Sequence, residues 1–511
     1  MPSVRAELPG ASALLGWLTD PEAPRLCLVT EAPGLLDWLA AQGPRAGGRR
    51  RTARALVPLT GQTALGTTWA TAAHLGVVAT SPADLVRVLA TTETGRTPRT
   101  VLLLPSLHAA AEPTRIAELL RDLATQGRIR VVVETREGTP EHTILTEARV
   151  TVVDAAQATE PEPPPATEAA PPDLSDPLAV IAADPYRVTA GYLADPEDRH
   201  GGLRPAWLRA GQALCAARTP ADRALALLAA LGDGADPRLG PALAAAAEPA
   251  PWRVRWSRVA GDVAPPWPGP VAALAVQGGT VLAADLAGTV RLLGAADARP
   301  LGRLDHPVTG RVTALAPAPD GTVLLLDERG RLHAVPGRNP RPPYLQRLTE
   351  AVSATLTRHP GTALAAISGS VVVGDRLGSV HAFGLTGLHQ AALHSGRVTA
   401  VAAVESETPF VCSGGIDGTV RRWTPGKDPD PTPLAERASP VVSLHAAETP
   451  YGPFVAVAWA DGAVEFRGLE TADHLTFRPG PPVRAVAVTQ DAALLTGLDE
   501  SVIRLDRTTP T

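Results

Sequence analysis

Three residue types that can share a proton relay fall close together in this sequence: His394, Ser413 and Asp417, in the stretch that runs from HSGRVTAV to VCSGGIDGTVRRW and ends at Trp423. An imidazole between a hydroxyl and a carboxylate is the arrangement of nucleophilic acyl transfer, and the spacing allows it. Buried inside one sheet, the same side chains would instead satisfy one another's hydrogen bonds. The sequence favours that structural role, because buried polar groups must be paired. No catalytic residue, cofactor or metal is assigned. The 12 histidines are scattered without ligand spacing, and Cys27, Cys215 and Cys412 lie too far apart for a disulfide framework or a local zinc knuckle. The one dense basic run, Arg45 to Arg54 (RAGGRRRTAR), has no interleaved aromatics and reads as a solvated loop that could dock an acidic partner surface.

Composition bounds the elements that must position these residues. The chain has 511 residues, 45% hydrophobic and 19% charged, with 46 Gly and 52 Pro, which predicts two to four globular domains rich in turns. A net charge of -5 offers no global basic field for nucleic acid or an anionic membrane. No stretch approaches the roughly 18 apolar residues of a membrane helix, and Met1 to Asp20 lacks a leader pattern. The expectation is a cytoplasmic protein without a nucleic-acid or membrane partner.

Ala155 to Asp176 (AAQATEPEPPPATEAAPPDLSD) has almost nothing to bury and predicts an extended linker over 155–176. Before it, over 1–154, continuous apolar runs such as Leu26 to Thr30 and Arg130 to Thr135 alternate with helical stretches such as Thr114 to Leu123. That is the pattern of an α/β domain with a parallel sheet covered on both faces. Residues 177–250 predict a short helical segment, with Thr219, Pro220 and Asp222 opening one helix as cap, first residue and capping-box acid. From 251 to 511 the texture becomes short Val-rich runs broken by Gly and Asp.

Six units repeat there, with first strands starting near Val271, Val312, Thr362, Val398, Val441 and Val483, spaced 41, 50, 36, 43 and 42 residues apart. The period is that of a four-stranded propeller blade, so an all-β propeller of six blades is expected, or seven if the 50-residue interval hides irregular strands. Trp252 to Val259 (WRVRWSRV) would supply the last blade's fourth strand and close the ring. The units resemble WD40 repeats, most clearly between His394 and Trp423. The resemblance implies that His394, Ser413, Asp417 and Trp423 form that family's buried polar set, and that the propeller binds proteins or peptides. The turns at Asp327 to Gly330 and Asp375 to Gly378 would carry Glu328, Arg329 and Arg376 on one face. Trp459 is a candidate exposed anchor there, with packing between blades as the alternative.

The stretch RLCLVTEAPGLLDWLA, Arg25 to Ala40, resembles the first strand and helix of a P-loop NTPase of the STAND type, a class often fused to WD40 repeats. The phosphate-binding loop is missing: Glu31, Ala32, Pro33 and Gly34 run straight into Leu35, and the chain's only lysine is Lys427. TVLLLPSL, Thr100 to Leu107, resembles the Walker B strand with Pro105 in place of the metal-binding Asp. Arg136 matches the sensor position but is expected to be structural. The implied molecule is a pseudo-NTPase lobe joined to a WD40 propeller. It would be a non-enzymatic scaffold or adaptor of signalling or conflict systems, with protein partners on the propeller face and at the N-terminal lobe. The alternative is a regulatory switch that binds a nucleotide or ligand without hydrolysis.

Overall fold

The computed structural model describes residues 10–30, 34–41, 52–91, 99–154, 171–263, 266–267, 269–337, 343–367, 369–384 and 387–508. Most of the basic run 45–54 and of the linker 155–176 therefore lies outside the described residues, as do Glu31, Ala32 and Pro33. The chain divides into two compact units, Met1–His200 and Gly201–Thr511. This boundary falls inside the 177–250 segment that the sequence groups as one.

The first unit holds α1 (Ala11–Thr19), β1 (Leu26–Thr30), α2 (Leu35–Ala41), β2 (Thr52–Leu56), α3 (Ala64–Leu75), α4 (Pro82–Thr91) and β3 (Arg99–Leu104). It continues through α5 (Pro113–Ala124), β4 (Ile129–Thr135), α6 (Pro140–Thr146), β5 (Val150–Asp154), α7 (Pro177–Ala182) and α8 (Pro185–Ala194). Its five strands are parallel in the order β2-β3-β4-β1-β5. Helices α1 and α2 cover one face, with Trp17, Leu36 and Leu39 against Cys27, Val29 and Val132. Helices α3 to α6 cover the other, with Leu85, Ile116 and Leu145 against Leu26, Leu28 and Val133. Both faces being covered is why β1 reads LCLVT, every residue buried, rather than alternating.

The second unit opens with α9 (Leu203–Ala216), α10 (Pro220–Ala230) and α11 (Leu239–Ala246), followed by β6 (Trp252–Val259). Thr219 caps α10 as expected, its side chain accepting from the Asp222 N–H at 3.1 Å. Six small antiparallel sheets follow. Blade 1 is β7 (Val271–Gln277), β8 (Thr280–Asp285), β9 (Val290–Gly294) and β10 (Pro300–Leu304). Blade 2 is β11 (Val312–Pro317), β12 (Val323–Asp327) and β13 (Leu332–Val335), followed by α12 (Pro343–Leu356). Blade 3 is β14 (Ala363–Ile367), β15 (Ser370–Gly374), β16 (Ser379–Gly384) and β17 (Gly387–Ala392). Blade 4 is β18 (Val398–Val404), β19 (Phe410–Gly415), β20 (Thr419–Trp423) and β21 (Ala435–Glu436). Blade 5 is β22 (Val441–Thr449), β23 (Gly452–Trp459), β24 (Val464–Gly468) and β25 (His474–Phe477). Blade 6 is β26 (Ala485–Val488), β27 (Leu494–Gly497) and β28 (Ser501–Arg507), completed by β6.

This is a six-bladed β-propeller closed as the sequence suggests, β6 pairing with β28 from Ser501↔Val259 to Arg507↔Trp252. One expectation fails. Blade 2 has three strands rather than four among the described residues, and the long interval holds α12 rather than a seventh blade. Leu345, Leu348, Val352 and Leu356 of α12 pack against Leu324, Leu326 and Val373, so a helix fills the space between blades 2 and 3. The apolar spacing of PYLQRLTEAVSATL is helical, with Leu345, Leu348, Val352 and Leu356 on one stripe. Truncating Leu356, only 3% exposed, should cost about 2–5 kcal/mol, read as an earlier propeller transition in urea. Glu350→Ala on the exposed side of α12 should leave it within about 0.5 kcal/mol.

Candidate functional site

His394 lies in the loop entering blade 4, Ser413 on β19 and Asp417 in the β19–β20 turn. The fold brings the three together: His394 Nε2 is 2.8 Å from Ser413 Oγ, and Nδ1 is 3.1 Å from Asp417 Oδ1. The connectivity is that of a nucleophilic relay, but the access is not. Ser413 is 0% exposed, and so is the His394 side chain. No carbonyl carbon can reach the hydroxyl. The set ties the loop to the sheet instead: Asp417 also accepts from the Ser395 N–H at 3.0 Å and the Thr419 N–H at 3.1 Å. Burial alone would raise the Asp417 carboxyl, but the His394 bond and the Ser395 amide outweigh it and hold the group well below the usual carboxylate range.

Trp423 does not join this set. Its indole N–H donates to the Lys427 carbonyl at 2.9 Å, while its ring packs with Val401 and Val411. The fourth member is Thr419, whose hydroxyl lies 3.1 Å from His394 Nδ1 and 2.9 Å from Asp417. Sequence reasoning passed over it, although a hydroxyl two residues after a turn aspartate is a common local partner.

Other blades fill the same place differently. Arg437 precedes β22 by four residues, as His394 precedes β18, and its guanidinium meets Asp461 at 2.6 Å and Glu465 at 2.9 Å. In blades 1 to 3 the acid sits two positions earlier, at Asp285, Asp327 and Asp375. Each accepts from the amides two and four residues on, at 2.8 to 3.0 Å. Each also faces a cation or imidazole six residues on: Arg291 at 3.7 Å, His333 at 3.0 Å and His381 at 3.0 Å. The weak match of these units to the His394 pattern therefore reflects a changed pairing, not an empty turn. The turn glycines are required by packing. Gly378 (φ 100) and Gly418 (φ 75) sit where a Cβ would strike the carbonyls of His394 and Arg437 in the next loop.

Glu328, Arg329 and Arg376 are exposed at these turn tips, as the sequence suggests. Trp459 is not. It is fully buried at the end of β23, packed with Val441, Val457 and Ala463, because its position in the blade faces the neighbouring sheet. It cannot be a surface anchor. The axial channel, about 380 Å³, is lined by the six first strands, largely Ala and Val. His445 stands in its wall and accepts from the Val488 N–H at 3.1 Å through Nδ1, while burial pushes its pKa down to about 4. One trio of possible metal ligands comes together among the described residues, Asp195, Asp198 and His200 after α8. Both carboxylates are exposed, and Asp198 already accepts the His200 backbone N–H at 2.8 Å.

In the first unit Gly34 (φ 78) immediately precedes α2, and Pro105 follows β3. Beside Pro105, the Ser106 N–H donates to Glu134 Oε2 at 2.9 Å. Glu134, buried near the end of β4, was not anticipated. Burial pushes its carboxyl up. Arg136 follows β4 on the surface.

No family model matches the chain, and no curated protein matches it. Among solved structures it is similar to the computationally designed Ika8 protein, at 20% identity and a TM-score of 0.31 over 47% of this chain and 71% of that one. It is also similar to the WD40 β-propeller domain of Doa1, at 12% identity and a TM-score of 0.35 over 51% of this chain and 98% of that one. The propeller assignment rests on the strand topology described above, not on these likenesses.

A serine-reactive fluorophosphonate should leave native Ser413 unlabelled, and His394→Ala should lower stability by about 1–3 kcal/mol in urea melts. Labelling lost in Ser413→Ala would contradict the structural role. The two shifted groups also predict the acid limb of stability. The unfolded His445 imidazole takes a proton near pH 6.5 that the folded one refuses until about 4, so stability falls as pH drops through that window. Asp417, depressed when folded, contributes stability that is present above about pH 3.9 and lost as pH falls further. The urea midpoint of His445→Gln should vary less steeply than that of the parent between about pH 6.5 and 4 and keep the lower limb.

Proposed function

We propose that this protein is a non-catalytic scaffold that recruits protein partners through one face of the propeller. In this reading the N-terminal α/β unit is a degenerate P-loop NTPase-like lobe, and the setting is a signalling or conflict-type system, where the sequence resemblance places such fusions. One observation carries the scaffold reading: the relay-like set of His394, Ser413 and Asp417 is sealed inside blade 4, while the turn tips of blades 2 and 3 hold Glu328, Arg329 and Arg376 out into solvent. Proton-transfer groups used as internal ties, with rigid exposed tips, suit recognition rather than turnover.

A second reading, a switch that binds a nucleotide or ligand without hydrolysis, draws on the first unit. Its strand β1, beside the central β4, ends in Thr30, whose buried hydroxyl has no hydrogen-bond partner among the described residues, and a parallel sheet offers a crevice at its strand ends. The buried Glu134 carboxyl argues against phosphate there, since an acid with a raised pKa repels an anion when ionised.

Affinity capture of the tagged full chain from its native cells separates the two. A near-stoichiometric protein partner is the expected result. Retention of a small molecule and no protein, with a matching calorimetric signal for ATP, GTP or their diphosphates, would move the function to the switch.

A further inference from the structure

Arginines are distributed unevenly over the propeller face that carries the turn tips. In an antiparallel blade the first strand starts at the end where the second and third strands turn, so residues preceding first strands and residues in those turns share one face. By that topology Arg311, Arg329, Arg331, Arg358, Arg376 and Arg397 all belong to it, around blades 2 to 4. Backbone bonds knit their loops together: the Glu328 N–H donates to the Arg311 carbonyl at 3.1 Å, the Gly361 N–H to Gly330 at 3.1 Å, and the Val398 N–H to Asp375 at 2.9 Å. All six are exposed, and none makes an ion pair among the described residues. Exposed Asp305 and Glu328 are the acids beside them.

The other half of the face differs. Around blades 5 and 6, Arg437 and Arg478 are both spent on Asp461, and Arg484 on Asp499. On this face, among the described residues, the arginines without an ion pair therefore gather in one sector, in a chain whose net charge is -5. In the middle of that sector Leu377, at the tip beside Arg376, is 84% exposed, the most exposed large apolar side chain among the described residues. A planar guanidinium binds a carboxylate through two parallel hydrogen bonds, and an apolar tip needs an apolar counterpart to leave water.

We propose that the blade 2 to 4 sector of this face binds an acidic polypeptide segment, rich in Asp and Glu and bearing an apolar residue that packs on Leu377. This rests on the scaffold reading and narrows the partner to one chemistry. A nucleic acid fits less well, because the sector holds no exposed Phe, Tyr or Trp for base stacking among the described residues and its charge forms a cluster around an apolar tip rather than a track.

The test uses the full chain and a fluorescein-labelled Glu- and Asp-rich peptide carrying leucines, read by anisotropy at low salt. Binding is expected to weaken at least about tenfold in Arg329→Glu/Arg376→Glu and to weaken as salt rises from about 0.05 to 0.3 M. The charge-matched control Arg253→Glu/Arg299→Glu, with exposed residues outside this face, should bind as the parent does. Leu377→Ala should weaken binding without changing the salt dependence. Equal loss in both double variants, no binding, or tighter binding of oligo-dT than of the peptide would overturn the proposal. Native-cell capture with Arg329→Glu/Arg376→Glu separates the two levels: a partner retained undiminished leaves the scaffold reading standing and this inference wrong.

Discussion

A ring of sheets is rigid only if it has no loose end, and in this propeller that condition rests on one strand. β6 enters from the N-terminal side of the repeats and pairs along the whole of β28, the last strand of the chain's β-region. Its two tryptophans reach to either side of that seam. The Trp252 indole donates to the Thr476 carbonyl of blade 5 at 3.1 Å, and the Trp256 indole to the Ala295 carbonyl after blade 1's third strand at 3.0 Å. One strand thus sutures three neighbouring blades and removes the edge that β28 would otherwise present. The loop entropy of joining residues this distant grows only logarithmically with their separation, so a seam of this kind can close a long repeat at modest cost.

The same economy of framework explains the turns. Each blade must hold its second turn in place, and a buried or half-buried acid does this within the blade wherever a cation or imidazole can face it. His394 with Asp417, Arg437 with Asp461, and His381 with Asp375 are chemically different answers to one packing requirement. Since these pairs are internal, the side chains between them point outward on a fixed frame. A binding surface made this way loses little conformational freedom when a partner arrives.

Much of this was legible in the sequence, for physical reasons. The repeat survives because inner strands must be apolar and turns need Gly at positive φ, so Val-rich runs and DxxG turns recur even where polar sets change. Closure by WRVRWSRV was legible because it alternates and because the last unit lacks a strand. The parallel sheet was legible from unbroken runs such as LCLVT. What escaped was contextual. The helix after β13 hid inside an interval that length alone could assign to strands, since its apolar stripe is visible only when helical spacing is tested there. Trp459 stood open between anchor and packing residue, since small residues dominate that place in the other units, and its burial depends on the adjacent sheet. Trp423 found the Lys427 carbonyl rather than the polar set, a partner that no residue-type pattern encodes because it is backbone.

Amide hydrogen exchange on the full chain tests the closed, rigid frame most directly. The account predicts that β6 amides from Arg253 to Val259 that bond to β28 are as strongly protected as the core amides of β22 to β24, and that both exchange only in the same global opening. Rapid exchange of β6 while β22 to β24 stay protected would show a ring that opens at its seam, and would contradict the claim that the face is held by closure.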